Sequence, residues 1–250
     1  MPEATAAARY LARIEALVRS VTEQEAAAIE AAAQAISARV GQGHLVHTLG
    51  CGHSTLVAQE VFYRSGGLML VNCIFAPGQL LSERPVTITT QMERLPGLAT
   101  AALDGADVRE GDVLIVISSS GRNVVPVEAA LEGKRRGCFV IAVTSRTIAQ
   151  STSSRHPSGK LLAEVADLVL DNKVIPGDSC VELEGFPQTV GATSTLAGAL
   201  LLQAVMARAV ELLVTSGQEP PVFINANVEG GTEHNQRMIA RHRDRLRHLL

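Results

Sequence analysis

Val113-Leu114-Ile115-Val116-Ile117 is an unbroken apolar run that stops at Ser118-Ser119-Ser120-Gly121-Arg122-Asn123. A strand apolar on both faces has to be covered on both faces, which points to a parallel sheet sandwiched between helices. The residues that follow, Val124 to Arg136, read as a helix. Asn123 suits its N-cap, and Pro126 falls in the first turn, where its missing N–H is not needed. A strand, a hydroxyl-rich turn and a helix start make an anion site. Three hydroxyls and unpaired backbone N–H groups converge there, and the helix dipole favours negative charge. No Lys follows the turn, so it is not a nucleotide P-loop. A serine-rich cap holding no ligand is the competing reading, and the density of hydroxyls favours phosphate.

The same grammar occurs earlier. Two helical stretches over residues 3 to 40 are expected to separate near Ser20-Val21-Thr22, where Thr22 and Glu25 have capping-box spacing. A strand from Leu45 to Leu49 then leads into Gly50-Cys51-Gly52-His53-Ser54, a helix to about Arg64 and a strand over 68–75. The segment from Ala76 to Leu95 carries Pro77-Gly78 and Pro85 and is long enough to be functional rather than a mere connection. Leu98 to Leu103 reads as a short helix, Cys138 to Val143 as a strand, and Asp167 to Asp171 as the end of another. Residues 176 to 185 read as loop, residues 190–216 as a long helix, and the arginine-rich end as a last helix with a solvated face. The chain is expected to form one domain over residues 1–250, with a helical segment to residue 40, an α/β core over 41–216 and a C-terminal segment from 217.

Composition narrows the partners. The formal charge is −3 and aromatics make up 3% of the chain, with no Trp, which argues against a nucleic-acid surface or a stacking platform for sugars. Any sugar has to be held by polar groups. Four dispersed cysteines without a CxxC, and no signal-peptide core, predict a reduced cytoplasmic protein. Gln203, Arg208 and Glu211 break the most apolar helix, which therefore reads as core and not as a membrane span. The histidines lack HxH or HExxH spacing, so neither a metal nor another cofactor is expected.

Two such turns in consecutive βαβ units, behind two helices, resemble the SIS (sugar isomerase) phosphosugar-binding family. The likeness extends over nearly the whole chain and includes Gly52-His53-Ser54, residues 62–67, Ser119-Ser120-Gly121-Arg122-Asn123 and Glu233-His234-Asn235. It implies a doubly wound five-stranded parallel sheet with N-terminal helices and long C-terminal helices, and a homodimer or larger homo-oligomer with shared active sites. By position it implies that Ser118, Ser119, Ser120 and Asn123 bind phosphate and that Ser54 contacts phosphate or sugar. Some members that the chain resembles are dehydratases of N-acetylglucosamine 6-phosphate type. Phosphoheptose isomerases carry a catalytic His on the long late helix, whereas this chain has Thr193, Ser194 and Thr195 there and no His from Val190 to Leu202.

Sugar-phosphate isomerisation and elimination both begin by opening the ring and removing the proton beside the carbonyl. Glu83, on the proline-bounded loop Ser82-Glu83-Arg84-Pro85, resembles an acid–base Glu of N-acetylmuramic acid 6-phosphate etherases and is the favoured base. Glu60 resembles the acid–base Glu on the first helix of several SIS enzymes, although at a shorter spacing from Ser54. His53 is placed to assist ring opening, or else to bond backbone at the helix start. His234 is either a surface residue or a group delivered by a neighbouring subunit. Cys51 reads as a small filler more than as a nucleophile, and Asp178 as a turn residue or part of the mouth of the site. The leading expectation is a lyase that dehydrates an amino-sugar 6-phosphate. An aldose–ketose isomerase comes second and a non-catalytic phosphosugar sensor third.

Overall fold

The run 113–117 is the middle strand of a five-stranded parallel sheet in the computed structural model, which describes residues 5–249. Helices α1 (Ala6–Gln24) and α2 (Ala26–Val40) precede β1 (Val46–Gly50), α3 (Ser54–Glu60) and β2 (Val71–Cys73). Short helices α4 (Ile88–Met92) and α5 (Leu98–Gly105) lead to β3 (Val113–Ile117), α6 (Val124–Arg135) and β4 (Phe139–Thr144). Then come α7 (Arg146–Gln150), α8 (Leu162–Val165), β5 (Leu168–Asp171), the hairpin β6 (Ser179–Leu183) and β7 (Phe186–Ala192), α9 (Ser194–Thr215) and α10 (Gly231–Arg241). The strand order is β2-β1-β3-β4-β5, so the chain winds one way from β1 to β2 and the other way from β3 to β5. β1 and β3 pair in register from Val46↔Val113 to Gly50↔Ile117.

Alternation along β3 divides the core. Val113, Ile115 and Ile117 face one cluster with Ala33, Ile36, Val57, Leu201 and Val205 from α2, α3 and α9, while Leu114 and Val116 face Leu103, Val125 and Ala129 from α5 and α6. α9 is long and apolar enough to cross a membrane by length and composition, yet eight of its residues are buried against this sheet face.

Several sequence expectations need correction. The first helix break falls at Glu25, not at residues 20–22, because the Thr22 hydroxyl bonds the Val18 carbonyl inside α1 and makes no capping box. The buried Glu25 carboxylate accepts from Asp171 N–H at 3.1 Å and pairs with Lys173 at 2.6 Å, which fixes the kink against the end of β5. The first two residues of the expected helical stretch, 3 and 4, lie outside the described residues. β2 spans three residues instead of eight. The supposed loop at 176–185 instead opens an antiparallel hairpin, in which Val181 pairs with Val190.

The arginine-rich end is also not wholly solvated. Arg245 donates to Asp112 at 2.7 and 2.8 Å, at the N-terminal edge of the sheet. Asp112 is fully buried and also accepts from Leu45 N–H and Arg109 N–H, both at 2.9 Å, and from His47 Nε2 at 3.1 Å. The side chain of Arg247 lies outside the described residues.

Candidate functional site

The two turns leave β1 and β3 side by side at the C-terminal edge of the sheet, where the winding direction reverses; ligands of open α/β sheets bind at such a crevice. In the first turn a Cβ on Gly50 would lie 2.3 Å from the Ser54 carbonyl oxygen, so only glycine lets the chain fold back into α3. Gly52 N–H donates to the Gln79 carbonyl at 3.0 Å, and the Thr55 hydroxyl donates to the Gly52 carbonyl at 2.7 Å. His53 is exposed at the mouth of this turn, and Ser54 is half-buried beside it.

The second turn is better equipped for an anion. The N–H groups of Ser119, Ser120, Arg122 and Asn123 find no acceptor among the described residues, and they precede a three-turn helix. Ser118 Oγ accepts from Gly121 N–H at 3.2 Å, and Ser119 Oγ accepts from Asn172 Nδ2 at 3.0 Å. These two hydroxyls therefore brace the turn while keeping their own protons free to donate. The Ser120 hydroxyl makes no hydrogen bond among the described residues. Asn123 has the extended backbone of an N-cap, but its side-chain oxygen does not cap; it accepts from Arg155 Nη1 at 2.8 Å.

A carboxylate that sequence reasoning overlooked lies between the turns. Glu93, just after α4, bonds α6 through its backbone: its carbonyl accepts from Val125 N–H at 3.0 Å. Its side chain faces Asn123 of the second turn, and its charge is felt by Cys51 of the first. Burial pushes its carboxyl above the ordinary range, against the pull of Asn123, Arg155 and Arg94. The missing signal was tertiary: Glu93 sits outside both glycine turns, and nothing local marks it as half-buried beside Asn123.

The other expected groups are more scattered. Glu60 points away from the turns along α3, paired with Arg64 and within 3.2 Å of Gln203 on α9. The Glu83 side chain is half-buried on its loop and makes no hydrogen bond or ion pair among the described residues. His234 lies near the opposite edge of the sheet, its Nε2 3.1 Å from the Val222 carbonyl, close to the bridge between Leu68 and Val222. Burial, with the Glu93 charge adding to it, holds the Cys51 thiol well above its ordinary range, which removes it as a nucleophile at neutral pH. Asp178 caps α9, accepting from Thr193 N–H at 3.1 Å and Ser194 N–H at 2.9 Å. Among the described residues no cluster of three or more His, Cys, Asp or Glu is placed to hold a metal ion.

This arrangement has close parallels. The SIS domain family model matches residues 9–145. A UPF0309 protein of Geobacillus thermodenitrificans is 40% identical over 238 residues, covering 95% of each chain. Another, from Streptomyces coelicolor, is 42% identical over 231 residues and covers 92% of each. Among solved structures, phosphoheptose isomerases from Neisseria gonorrhoeae and Francisella tularensis superpose with TM-scores of 0.54 and 0.53. Each covers 83% of this chain and 100% of its own, at 18% and 19% identity, a likeness of fold. From its two turns, its sheet order and these relatives, the chain belongs to the SIS-domain family and, within it, to the UPF0309 proteins.

Proposed function

We propose that the protein is a phosphosugar lyase that dehydrates an N-acetylated hexosamine 6-phosphate, such as N-acetylglucosamine 6-phosphate, or a related amino-sugar 6-phosphate. The observation that carries the reading is the second turn, with its unpaired N–H groups and the unengaged Ser120 hydroxyl beside a half-buried carboxylate. The phosphate sits against Ser118, Ser119, Ser120 and the N-terminus of α6, with Ser54 reaching it or the sugar from the first turn. His53 assists ring opening. A carboxylate then takes the proton from the carbon bearing the acetamido group, and the substituent on the next carbon leaves as water as the double bond forms. Glu93 fits the proton transfer best, since a carboxyl raised above its ordinary range is a stronger base when ionised and a usable acid when protonated. Glu83 is the second candidate; Glu60, turned away from the turns and paired with Arg64, takes no part, and Glu93 once protonated supplies the acid. The absence of a His on α9 between Ser194 and Leu202 favours elimination over the isomerisation carried out by phosphoheptose isomerases. In this reading the protein works in the cytoplasm as a homo-oligomer, and a second copy delivers His234 to the site.

Incubation with hexosamine 6-phosphates tests this directly. Elimination gives a product lighter by one water with new ultraviolet absorbance, whereas isomerisation changes neither. Solvent-deuterium exchange at the acetamido-bearing carbon then assigns the base. Glu93→Gln is expected to lose exchange by about a thousandfold while keeping phosphosugar binding. Normal exchange in Glu93→Gln and loss in Glu83→Gln would move the role to Glu83.

A further inference from the structure

Three arginines gather around the second turn. Arg122 lies within it, and its carbonyl accepts from Arg155 N–H at 2.8 Å. The Arg155 side chain bonds Asn123, and Arg94 directly follows Glu93, which is bonded by its carbonyl to the first turn of α6. Among the described residues none of the three forms an ion pair, and Arg122 Nε is buried with no hydrogen-bond partner. Their mutual repulsion is felt: burial, and then the charges of Arg122 and Arg94, lower the pKa of Arg155 despite the nearby Glu93.

Arg155 and Arg94 thus face one carboxylate, itself biased toward its neutral form, at a helix N-terminus that already favours anions, and the charge of Arg122 is felt by Arg155. A sugar monophosphate is fully served by the hydroxyls and N–H groups of the turn. Three like charges that share a single carboxylate, itself shifted toward neutral, are a cost to the free protein that a second anionic group would remove. We propose that Arg94, Arg122 and Arg155 form a second anion subsite, so that the preferred ligand is a related amino-sugar 6-phosphate carrying another negative group, a carboxylate or a second phosphate, in place of N-acetylglucosamine 6-phosphate itself. The inference rests on the phosphosugar reading of the turn and narrows its substrate class.

Calorimetric titration at low salt tests it with two matched pairs: glucose 6-phosphate against 6-phosphogluconate, and fructose 6-phosphate against fructose 1,6-bisphosphate. The first pair reads a carboxylate and the second a phosphate. At least one doubly anionic probe is expected to bind about tenfold or more tightly than its monophosphate, the yield of one good charge-assisted contact. Arg94→Gln/Arg155→Gln should erase that preference and change monophosphate affinity by less than about threefold, whereas Ser120→Ala should weaken both members of a pair alike. Equal affinity within both pairs, or a preference that survives the double variant, overturns the second subsite and leaves the phosphosugar reading standing. Failure of all four probes and of N-acetylglucosamine 6-phosphate to bind overturns both.

Discussion

Asp112→Asn should be among the most damaging single substitutions in this protein, although it lies at the far edge of the sheet from the candidate site. The carboxylate is fully buried and takes two backbone N–H groups, His47 and the Arg245 guanidinium. Burial alone would push its pKa up; the hydrogen bonds from His47, Leu45 and Arg109 outweigh this and bring it from 3.8 to about 2. That difference is worth about 2 kcal/mol of stability at neutral pH. The amide keeps the shape but supplies no charge to Arg245, and it turns an N–H₂ toward some of the donors. Stranding a partly buried guanidinium and mispairing N–H groups raises the expected loss to about 3–5 kcal/mol. For a chain of this size that lowers Tm by roughly 10 °C. The pH dependence carries the sign. A carboxyl with a depressed folded-state pKa contributes its stability above the unfolded value of 3.8 and loses it as pH falls through about 2. Wild type should therefore approach the variant by about 2 kcal/mol between pH 5 and pH 2. Urea unfolding of both proteins across that range measures the gap. A gap below about 1 kcal/mol at pH 7, or one that does not narrow on acidification, would refute the reasoning.

The turn residues separate binding from stability. Ser120→Ala removes a hydroxyl with no internal partner, so phosphosugar affinity should drop by about 1–3 kcal/mol in calorimetry with Tm within about 2 °C of wild type. Ser118→Ala also takes away the acceptor of Gly121 N–H, so both affinity and Tm should fall. Gly121→Ala forces a side chain to φ +58° with its Cβ 2.9 Å from Thr144 Oγ1; thermal melts should show a loss of about 2 kcal/mol and titration no measurable phosphosugar binding. Gly198→Ala sets a methyl 2.8 Å from Val57 Cγ1 between α9 and α3, and crowding should outweigh the gain in helix propensity, with a net loss of about 1–2 kcal/mol by urea unfolding.

What was legible in the sequence was what is encoded locally. The apolar runs at 113–117 and 139–144, the strand at 46–50 and the glycine and serine turns after β1 and β3 specify a parallel sheet with two strand-to-helix turns, because strand burial and turn conformation depend on neighbouring residues. Glu25, Glu93 and Arg245 were misread or passed over for the opposite reason. Each gets its role from a partner dozens of residues away: Lys173, Asn123 and Asp112. The same holds for the N-cap. Asn123 has the right residue type and backbone, and its side chain is diverted by Arg155, which no local pattern reveals.

The irregular stretch between β2 and α5 is tacked to the first turn, where the Gln79 carbonyl receives Gly52 N–H, and to α6, where the Glu93 carbonyl receives Val125 N–H and Gly97 N–H donates to the Glu128 carboxylate. It is thus a strap across the crevice with an anchor on either bank. On the proposed reading, the turn that holds phosphate and the turn that meets the sugar are joined by this one tether. New specificities could evolve by rewriting the strap's middle, residues 80 to 92, while both anchors, and the distance between the banks set by the paired strands β1 and β3, stay as they are.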